Sequence, residues 1–190
     1  MGVGYYRNAT TAPTSDPSSG FLMYSVAGVA NFRMGTGRII DLTKLAFPKR
    51  LTADVALSAS TNVSMSGLDV PIAANEAWLV DYEIHASVSG GTAGLKPFFT
   101  NFPSGATGTI WIEGHTSGTG TYVQAAPSTN PGNASATAFI TASFDGSIRI
   151  RAAVVNGANA GNIRLAFATG ASAAGNIKAN SNVMAMRSTP

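Results

Sequence analysis

The chain has 190 residues, enough for one domain with a short appendage, and 45% of them are hydrophobic. Only 11% are charged, against about 25% in typical globular domains, and cysteine is absent. This composition excludes disulfide staples and thiolate chemistry, and the small excess of 12 basic over 9 acidic residues argues against nucleic acid as a partner. No apolar stretch is long enough for a membrane span and no signal-peptide core is recognisable, so we expect no membrane partner.

The first fifty residues differ in charge and pattern from the rest. They carry six basic and two acidic residues, whereas residues 51–190 carry six basic and seven acidic ones. Residues 1–20 are polar and rich in turn formers, which predicts an extended arm. Three short apolar runs at 21–26, 29–34 and 38–42 predict a small β-meander, followed by a connector at 44–51. The predicted organisation is therefore an arm at 1–20, a meander and connector at 21–51, and a main domain at 52–190.

The main domain has apolar residues that recur with period two, the pattern of half-buried strands. The clearest example is Glu76–Val88, in which Trp78, Val80 and Ile84 share one face while Asp81, Glu83 and His85 share the other. Turn clusters rich in glycine separate the strands, and no sustained helical spacing occurs between them. We therefore predict an all-β fold, an antiparallel jelly-roll sandwich preceded by the meander and arm. The other predicted strands are Asp54–Ser58, Val63–Ile72, Leu95–Phe102, Thr109–Glu113, Thr121–Ala125, Ala138–Phe144, Ser147–Val155, Asn162–Ala168 and Asn176–Arg187.

Residues suited to catalysis are scarce. Asp81, Glu83 and His85 project from one strand face, but about 6.6 Å separates successive members, so a metal site needs help from another strand. The favoured interpretation is a solvated polar face paired with Arg149 and Arg151 on a neighbouring strand. No nucleophile elbow, phosphate-binding loop or dinucleotide fingerprint is present. We expect no enzymatic activity, no catalytic residue, no metal and no cofactor.

Aromatic residues offer a second kind of site. Trp78 is in phase with the apolar residues of its strand, which indicates core packing. Trp111 is out of phase with Ile110 and Ile112, and it flanks a glycine-rich loop together with His115 and Tyr122. If the protein binds a glycan, Trp111, His115 and Tyr122 are the candidate contacts.

Several short motifs resemble those of a domain found in virion proteins of tailed bacteriophages. They are Gly67-Leu68-Asp69-Val70, the run from Ala74 to Trp78 that leads into the long strand, Gly161–Ala168, and the closing segment Ile177–Arg187. Such domains resemble the trimeric jelly roll of the tumour necrosis factor and complement globular-head type. The segment Asp16–Leu42 is similar to the short β element that precedes these domains in phage fibres and decorations. Asn180-Ser181 departs from the Gly-Ser that related chains tend to carry before the last strand.

The resemblance implies a non-enzymatic structural protein, a homotrimeric decoration of the capsid, made in the host cytoplasm and displayed on the virion surface. Its expected partners are copies of itself and the major capsid protein or another virion protein, to which the basic N-terminal region attaches. The alternative is a receptor-binding tail or fibre-tip protein that recognises host glycans. The candidate anchoring residues are Arg7, Arg33, Arg38, Lys49 and Arg50. The candidate trimer contacts, expected to point out of the core, are Phe98, Phe102, Phe139, Met184 and Met186.

Overall fold

The structure of the protein, a computed structural model, describes residues 6–9, 21–26, 29–34, 39–41, 46–58, 62–89, 94–115, 122–128, 139, 144–169 and 174–188. Its contacts divide the chain into two compact units, Met1–Phe47 with Pro190, and Pro48–Thr189. The described residues are nearly all in β-strands, and none of their helices has the length and apolar character needed to cross a membrane.

The N-terminal unit is a four-stranded sheet. Its strands are β1 (Tyr6–Ala9), β2 (Phe21–Val26), β3 (Val29–Met34) and β4 (Ile39–Asp41), in that spatial order. β2, β3 and β4 form the predicted antiparallel meander. β1 adds to the open edge of β2 in parallel, so part of the predicted arm is a paired strand. An unpaired edge offers backbone donors and acceptors that an extended segment satisfies, which polarity alone does not reveal.

The larger unit contains an eight-stranded sheet, called here the front sheet. Four of its strands follow the order β12-β11-β13-β9. Two short strands, β15 and β16, both pair with the far edge of β9, and they pair in turn with β6 and β5, respectively. The residue bounds are β5 (Ala46–Arg50), β6 (Val55–Leu57), β9 (Ala77–Ser89), β11 (Thr107–His115), β12 (Tyr122–Ser128), β13 (Phe144–Val155), β15 (Ala174–Ile177) and β16 (Asn182–Arg187).

A smaller back sheet completes the unit. Its strands are β7 (Asn62–Ser64), β8 (Val70–Ile72), β10 (Leu95–Asn101) and β14 (Gly161–Thr169). β14 pairs with β10 along one edge and with β7 and β8 along the other, in each case antiparallel. The rings of Tyr82 in β9 and Phe99 in β10 lie 6.1 Å apart, which joins the two sheets face to face. The predicted antiparallel, jelly-roll-like β-sandwich is confirmed.

The core follows the predicted alternation along β9. Every second residue from Trp78 to Val88 is buried, whereas the residues between them are half-buried or exposed. β13 repeats the pattern, with Ile148 and Ile150 fully buried between outward-pointing neighbours. The inward faces of these two long strands form the centre of the front sheet.

Three predicted boundaries differ from the structure. The strand expected at Val63–Ile72 is interrupted by a single 3-10 turn at Ser66–Leu68, which places Leu68 in the core. The connector expected at 44–51 contains β5, which pairs with β16. Leu51, just after β5, continues the contact through backbone hydrogen bonds with Asn180 and Ser181. β13 begins at Phe144, so the Asp145-Gly146 pair expected as a turn lies within a strand that β9 pairs along its length.

A tight turn divides the segment expected as one strand at Asn176–Arg187. Asn180 has a φ of 74°, a left-handed conformation that asparagine tolerates better than most residues. The turn therefore forms with asparagine at the position where the resemblance predicts glycine. β15 pairs with β9 from Ala86 onward and β16 pairs with it up to Glu83, which leaves His85 between the two pairings. The hydroxyl of Ser181, itself fully buried, accepts a hydrogen bond from the His85 N–H at 3.0 Å and donates to its carbonyl at 3.2 Å.

Candidate functional site

Five large apolar side chains are exposed among the described residues, and they all project from the front sheet on the side away from the core. Their exposed fractions run from 36% for Trp111 to 58% for Val155, with Leu79, Met184 and Met186 near one half. Monomeric proteins expose single apolar residues as a matter of course, but clusters of this kind mark contact surfaces. We call this side of β9, β11, β13 and β16 the outer face.

Strand register brings these residues together. Leu79 lies directly opposite Met186 on one side and Ala153 on the other. Two residues further along β9, the aligned row is Trp111, Arg151, Asp81 and Met184. The next row is Glu113, Arg149, Glu83 and Asn182. Since side chains two residues apart share a face, apolar rows and charged rows form one continuous surface.

The outer face is concave, with a volume of about 680 Å³. That size falls within the range of small-molecule binding clefts, although here the walls are strands of an open sheet. The lining residues are Leu79, Val80, Asp81, Glu83, Trp111, Glu113, Arg149, Arg151, Ala152, Asn182, Met184 and Met186.

A charged network occupies the middle of this surface. The Nε of Arg149 donates to both carboxylate oxygens of Asp81, at 3.0 and 3.2 Å, and its Nη2 bonds the same carboxylate. This hydrogen bonding to Asp81 raises the pKa of the Arg149 guanidinium above its ordinary value. Arg151 is held more loosely, at 3.6 Å from Asp81 and 3.8 Å from Glu113. The predicted pairing of Asp81 with Arg149 and Arg151 is confirmed.

The other members of the predicted polar face behave differently. Glu83 forms no ion pair within 4 Å with any described residue, although its charge acts on Arg149 from a distance. His85 has an exposed side chain, and its backbone bonds Ser181. Within the described ranges, no three His, Asp or Glu side chains lie close enough to hold a metal ion.

The predicted glycan residues are only partly described. Trp111 lies exposed on the outer face, as its phase against Ile110 and Ile112 predicts. The backbones of His115 and Tyr122 pair between β11 and β12, but their side chains fall outside the described part of the chain.

The predicted contact residues divide into two groups. Met184 and Met186 are exposed on the outer face, as expected. The expectation that Phe98 and Phe139 point out of the core is wrong, because both are buried. Phe102 is half-buried, with its ring edge-on to Phe99 at 5.2 Å.

Two local features explain the buried phenylalanines. Phe98 lies opposite the fully buried Ala166, so this stretch of the back sheet is covered on both faces and period-two reasoning fails. Phe139 exchanges two backbone hydrogen bonds of 2.7 Å with Leu95. A Cβ on Gly114 would lie 3.1 Å from the Phe139 ring, so the glycine provides the space that the ring fills.

The predicted anchoring residues are spread over both units. Arg7 and Arg33 lie in β1 and β3 of the N-terminal unit, the former with its side chain outside the described part, and Arg38 is outside the described residues. Lys49 and Arg50 lie in β5 and belong to the larger unit. The ammonium of Lys49 donates to the backbone carbonyl of Asp69 at 2.8 Å, whereas Arg50 is exposed.

A second ionic cluster supports the sandwich away from the outer face. The Nε of Arg164 donates to both carboxylate oxygens of Asp69, at 2.9 and 3.0 Å, and this bonding raises the pKa of Arg164 above its ordinary value. The hydroxyl of Tyr82 is buried and has no hydrogen-bond partner among the described residues. Burial raises the pKa of Tyr82 well above 10, and the negative charge of Asp69 adds to the effect. Tyr82 is therefore a neutral core residue.

The alternation in the sequence places Leu79 on the polar face of its strand, which is confirmed, but neither Leu79 nor Val155 was predicted to be a contact residue. Both are apolar residues at outward-pointing positions of strands whose inward positions are already apolar. Such residues can be recognised in the sequence as apolar residues at strand positions that alternate with the core positions. The same pattern predicted that Met184, Met186 and Trp111 point outward.

Comparisons with known proteins give little beyond this geometry. No protein-family model and no curated protein matches the chain. Among solved structures, the chain is similar to a chain in the structure of infectious bursal disease virus, Gx strain. The two share 14% identity over 75% of this chain and 35% of the viral one, with a TM-score of 0.23. It is also similar to a mutant VP2 protein of that virus in derived T=1 particles, with 12% identity, the same coverage and a TM-score of 0.20. A VP2 subviral particle gives 10% identity over 75% and 40%, at 0.19. The chain thus spans little more than a third of these proteins, and scores this low establish no shared fold or role.

Proposed function

We propose that the protein is a non-enzymatic structural component of a bacteriophage virion, a homotrimeric protein that decorates the capsid surface. The observation that carries the proposal is the outer face, where all the exposed large apolar side chains of the described chain lie together. A surface of this kind is used for contact with macromolecules. The sequence resemblance to phage virion domains supplies the setting in which such contacts are made.

The charged part of the outer face supports a binding role. Two of its carboxylates, Asp81 and Glu113, face Arg149 and Arg151. Both carboxylates are engaged in ion pairs, as the charged groups at the rim of a protein contact surface commonly are. The arrangement suits a surface that docks against another protein.

The trimer contact is proposed to include Met184 and Met186, which are exposed on the outer face. Attachment is proposed to use basic residues of the N-terminal region, because an acidic capsid surface would attract them. Arg7 and Arg38 belong to this region, and Arg50 adds an exposed charge from β5.

The test is reconstitution of purified capsids that lack the protein with the full-length chain, followed by electron microscopy. Bound threefold-symmetric density is the expected result, and R7Q/R38Q should lower occupancy more than K96Q/K178Q, a matched loss of two charges in the larger unit. Absence of density at saturating protein would refute the decoration role. Equal occupancy for both variants would refute attachment through the basic region.

The alternative function is recognition of host glycans by a tail or fibre tip. The observation that favours it is the exposed indole of Trp111, which lies next to Arg151 and two residues from Glu113 in the concave face. Aromatic faces stack on sugar rings, and the charged groups can bond sugar hydroxyls. Glycan-array binding by the full chain that is lost in Trp111→Ala but kept in Leu79→Ala would support this function.

A further inference from the structure

We infer that the outer face is the surface on which a second copy of this chain docks, with Leu79, Met184 and Met186 as its apolar centre. The inference rests on the proposed structural role and adds Leu79, the extent of the contact surface and the charged groups beside it. Three observations lead to it: the apolar rows, the size of the face, and two charged groups, of which Arg151 has only long ion-pair contacts and Glu83 has no ion pair among the described residues.

The apolar part of the face is continuous. Met186 lies directly opposite Leu79, and Met184 lies two residues away on β16. Val155 extends the patch along β13, beyond Ala153. All four large side chains are about half exposed or more, so covering them removes apolar surface from water, which is the main favourable contribution to association.

The size of the face suits a protein partner. Four strands of about 4.8 Å spacing and four rows of about 6.6 Å give roughly 500 Å² in projection. That projection is more than half of the roughly 800 Å² that each partner contributes to a stable interface, and the accessible area of an uneven surface is larger than its projection. The apolar rows provide the centre of such an interface and the charged rows provide its rim.

The charges indicate a copy of the same chain. Arg151 has only loose contacts, at 3.6 and 3.8 Å, and donates no hydrogen bond within the described residues. Glu83 forms no ion pair there. The face therefore offers one guanidinium and one carboxylate with bonding capacity to spare, which charged groups on another surface of a second copy can bond, as the contacts of a cyclic trimer require. A polyanion or anionic membrane fits poorly, because three carboxylates outnumber two guanidinium groups on this surface.

The experiment measures the association of the full-length chain by sedimentation equilibrium over a range of concentrations. We expect the wild type to associate and M184E/M186E to weaken association by about thirtyfold or more, the scale of a lost interface centre. Thr100→Glu, an exposed residue of β10 in the back sheet, is the matched control and should associate like the wild type. Arg151→Gln and Glu83→Gln should each weaken association several-fold, and salt should reduce the difference between them and the wild type.

Folding is checked by circular dichroism, and M184L/M186L provides a variant that keeps the apolar surface and should still associate. A wild type that stays monomeric would overturn the inference, as would M184E/M186E associating as well as Thr100→Glu. Capsid reconstitution with the same proteins separates the two proposals. Monomers that decorate capsids would overturn the second-copy contact and the trimer but leave the decoration role intact. Associated chains that do not decorate capsids would overturn the decoration role and leave the second-copy contact intact.

Discussion

Ser181 closes a gap in the pairing of the central strand β9, and its removal provides a quantitative test of the fold. His85 lies between the residues that pair with β15 and those that pair with β16. In the wild type its N–H donates to the Ser181 hydroxyl at 3.0 Å. Its carbonyl accepts from that hydroxyl at 3.2 Å and from the Lys178 N–H at 2.8 Å.

The expected cost of Ser181→Ala follows from this count. In the variant the His85 carbonyl still accepts a hydrogen bond from the Lys178 N–H. The His85 N–H, however, loses its acceptor, in a site where Ser181 is fully buried. Leaving one buried donor without a partner costs about 1–3 kcal/mol. We therefore expect the free energy of unfolding to fall by about that amount, with little change in its dependence on denaturant, because the variant exposes the same surface on unfolding.

The assay is equilibrium unfolding in urea, combined with hydrogen exchange at the His85 amide. The matched control is Ser89→Ala, which removes an exposed hydroxyl that donates to the Ala174 carbonyl at 3.4 Å on the same strand edge. Its cost should stay within about 0.5 kcal/mol. If Ser181→Ala were no more costly than Ser89→Ala, or if exchange at His85 were unchanged, the assignment of Ser181 as a bridge would be refuted.

Three further predictions concern the core. Tyr82→Phe removes a buried hydroxyl without a partner, so stability near pH 7 should be unchanged or higher. Burial raises the pKa of Tyr82 in the folded state, so above pH 10 its hydroxyl loses a proton in the unfolded chain but not in the folded one. Urea unfolding at increasing pH should therefore show the wild type losing up to about 1.4 kcal/mol of stability per pH unit relative to Tyr82→Phe. Glu76→Gln should cost about 1–3 kcal/mol in urea unfolding, against little for Glu83→Gln, because the Glu76 carboxylate is buried and forms an ion pair with Arg187 at 3.2 Å, which a neutral amide cannot keep. Gly114→Ala should lower the melting temperature, since the new Cβ would lie 3.0 Å from a backbone oxygen and 3.1 Å from the Phe139 ring; an unchanged melting temperature would contradict that packing.

Alternation along the sequence predicted the inner face of the front sheet residue by residue. Trp78, Tyr82 and Ile84 are in the core because period-two spacing places them on one side of an extended strand. The same reasoning identified Trp111, Met184 and Met186 as outward-pointing. It failed at Phe98 and Phe139, because alternation along one strand does not show that other residues cover its second face as well.

The sequence pattern within each strand also did not predict which strands pair with one another. The sequence offers one apolar run at Val63–Ile72 and another at Asn176–Arg187, and neither shows that two short strands share the edge of a longer one. The bridge from Ser181 to His85 joins residues 96 positions apart, so no local signal could indicate it.

The amino-acid sequence by itself determined that the chain is all-β, that its main domain is a sandwich, and which side of β9 is buried, because these depend on periodicity and turn chemistry within a few residues. Only the tertiary structure decided that Leu79, Trp111, Val155, Met184 and Met186 share one surface, since strand register between distant segments sets that arrangement. Register also placed Arg149 and Arg151 against Asp81. The outer face is therefore a product of long-range pairing, which the spacing of residues along one strand does not encode.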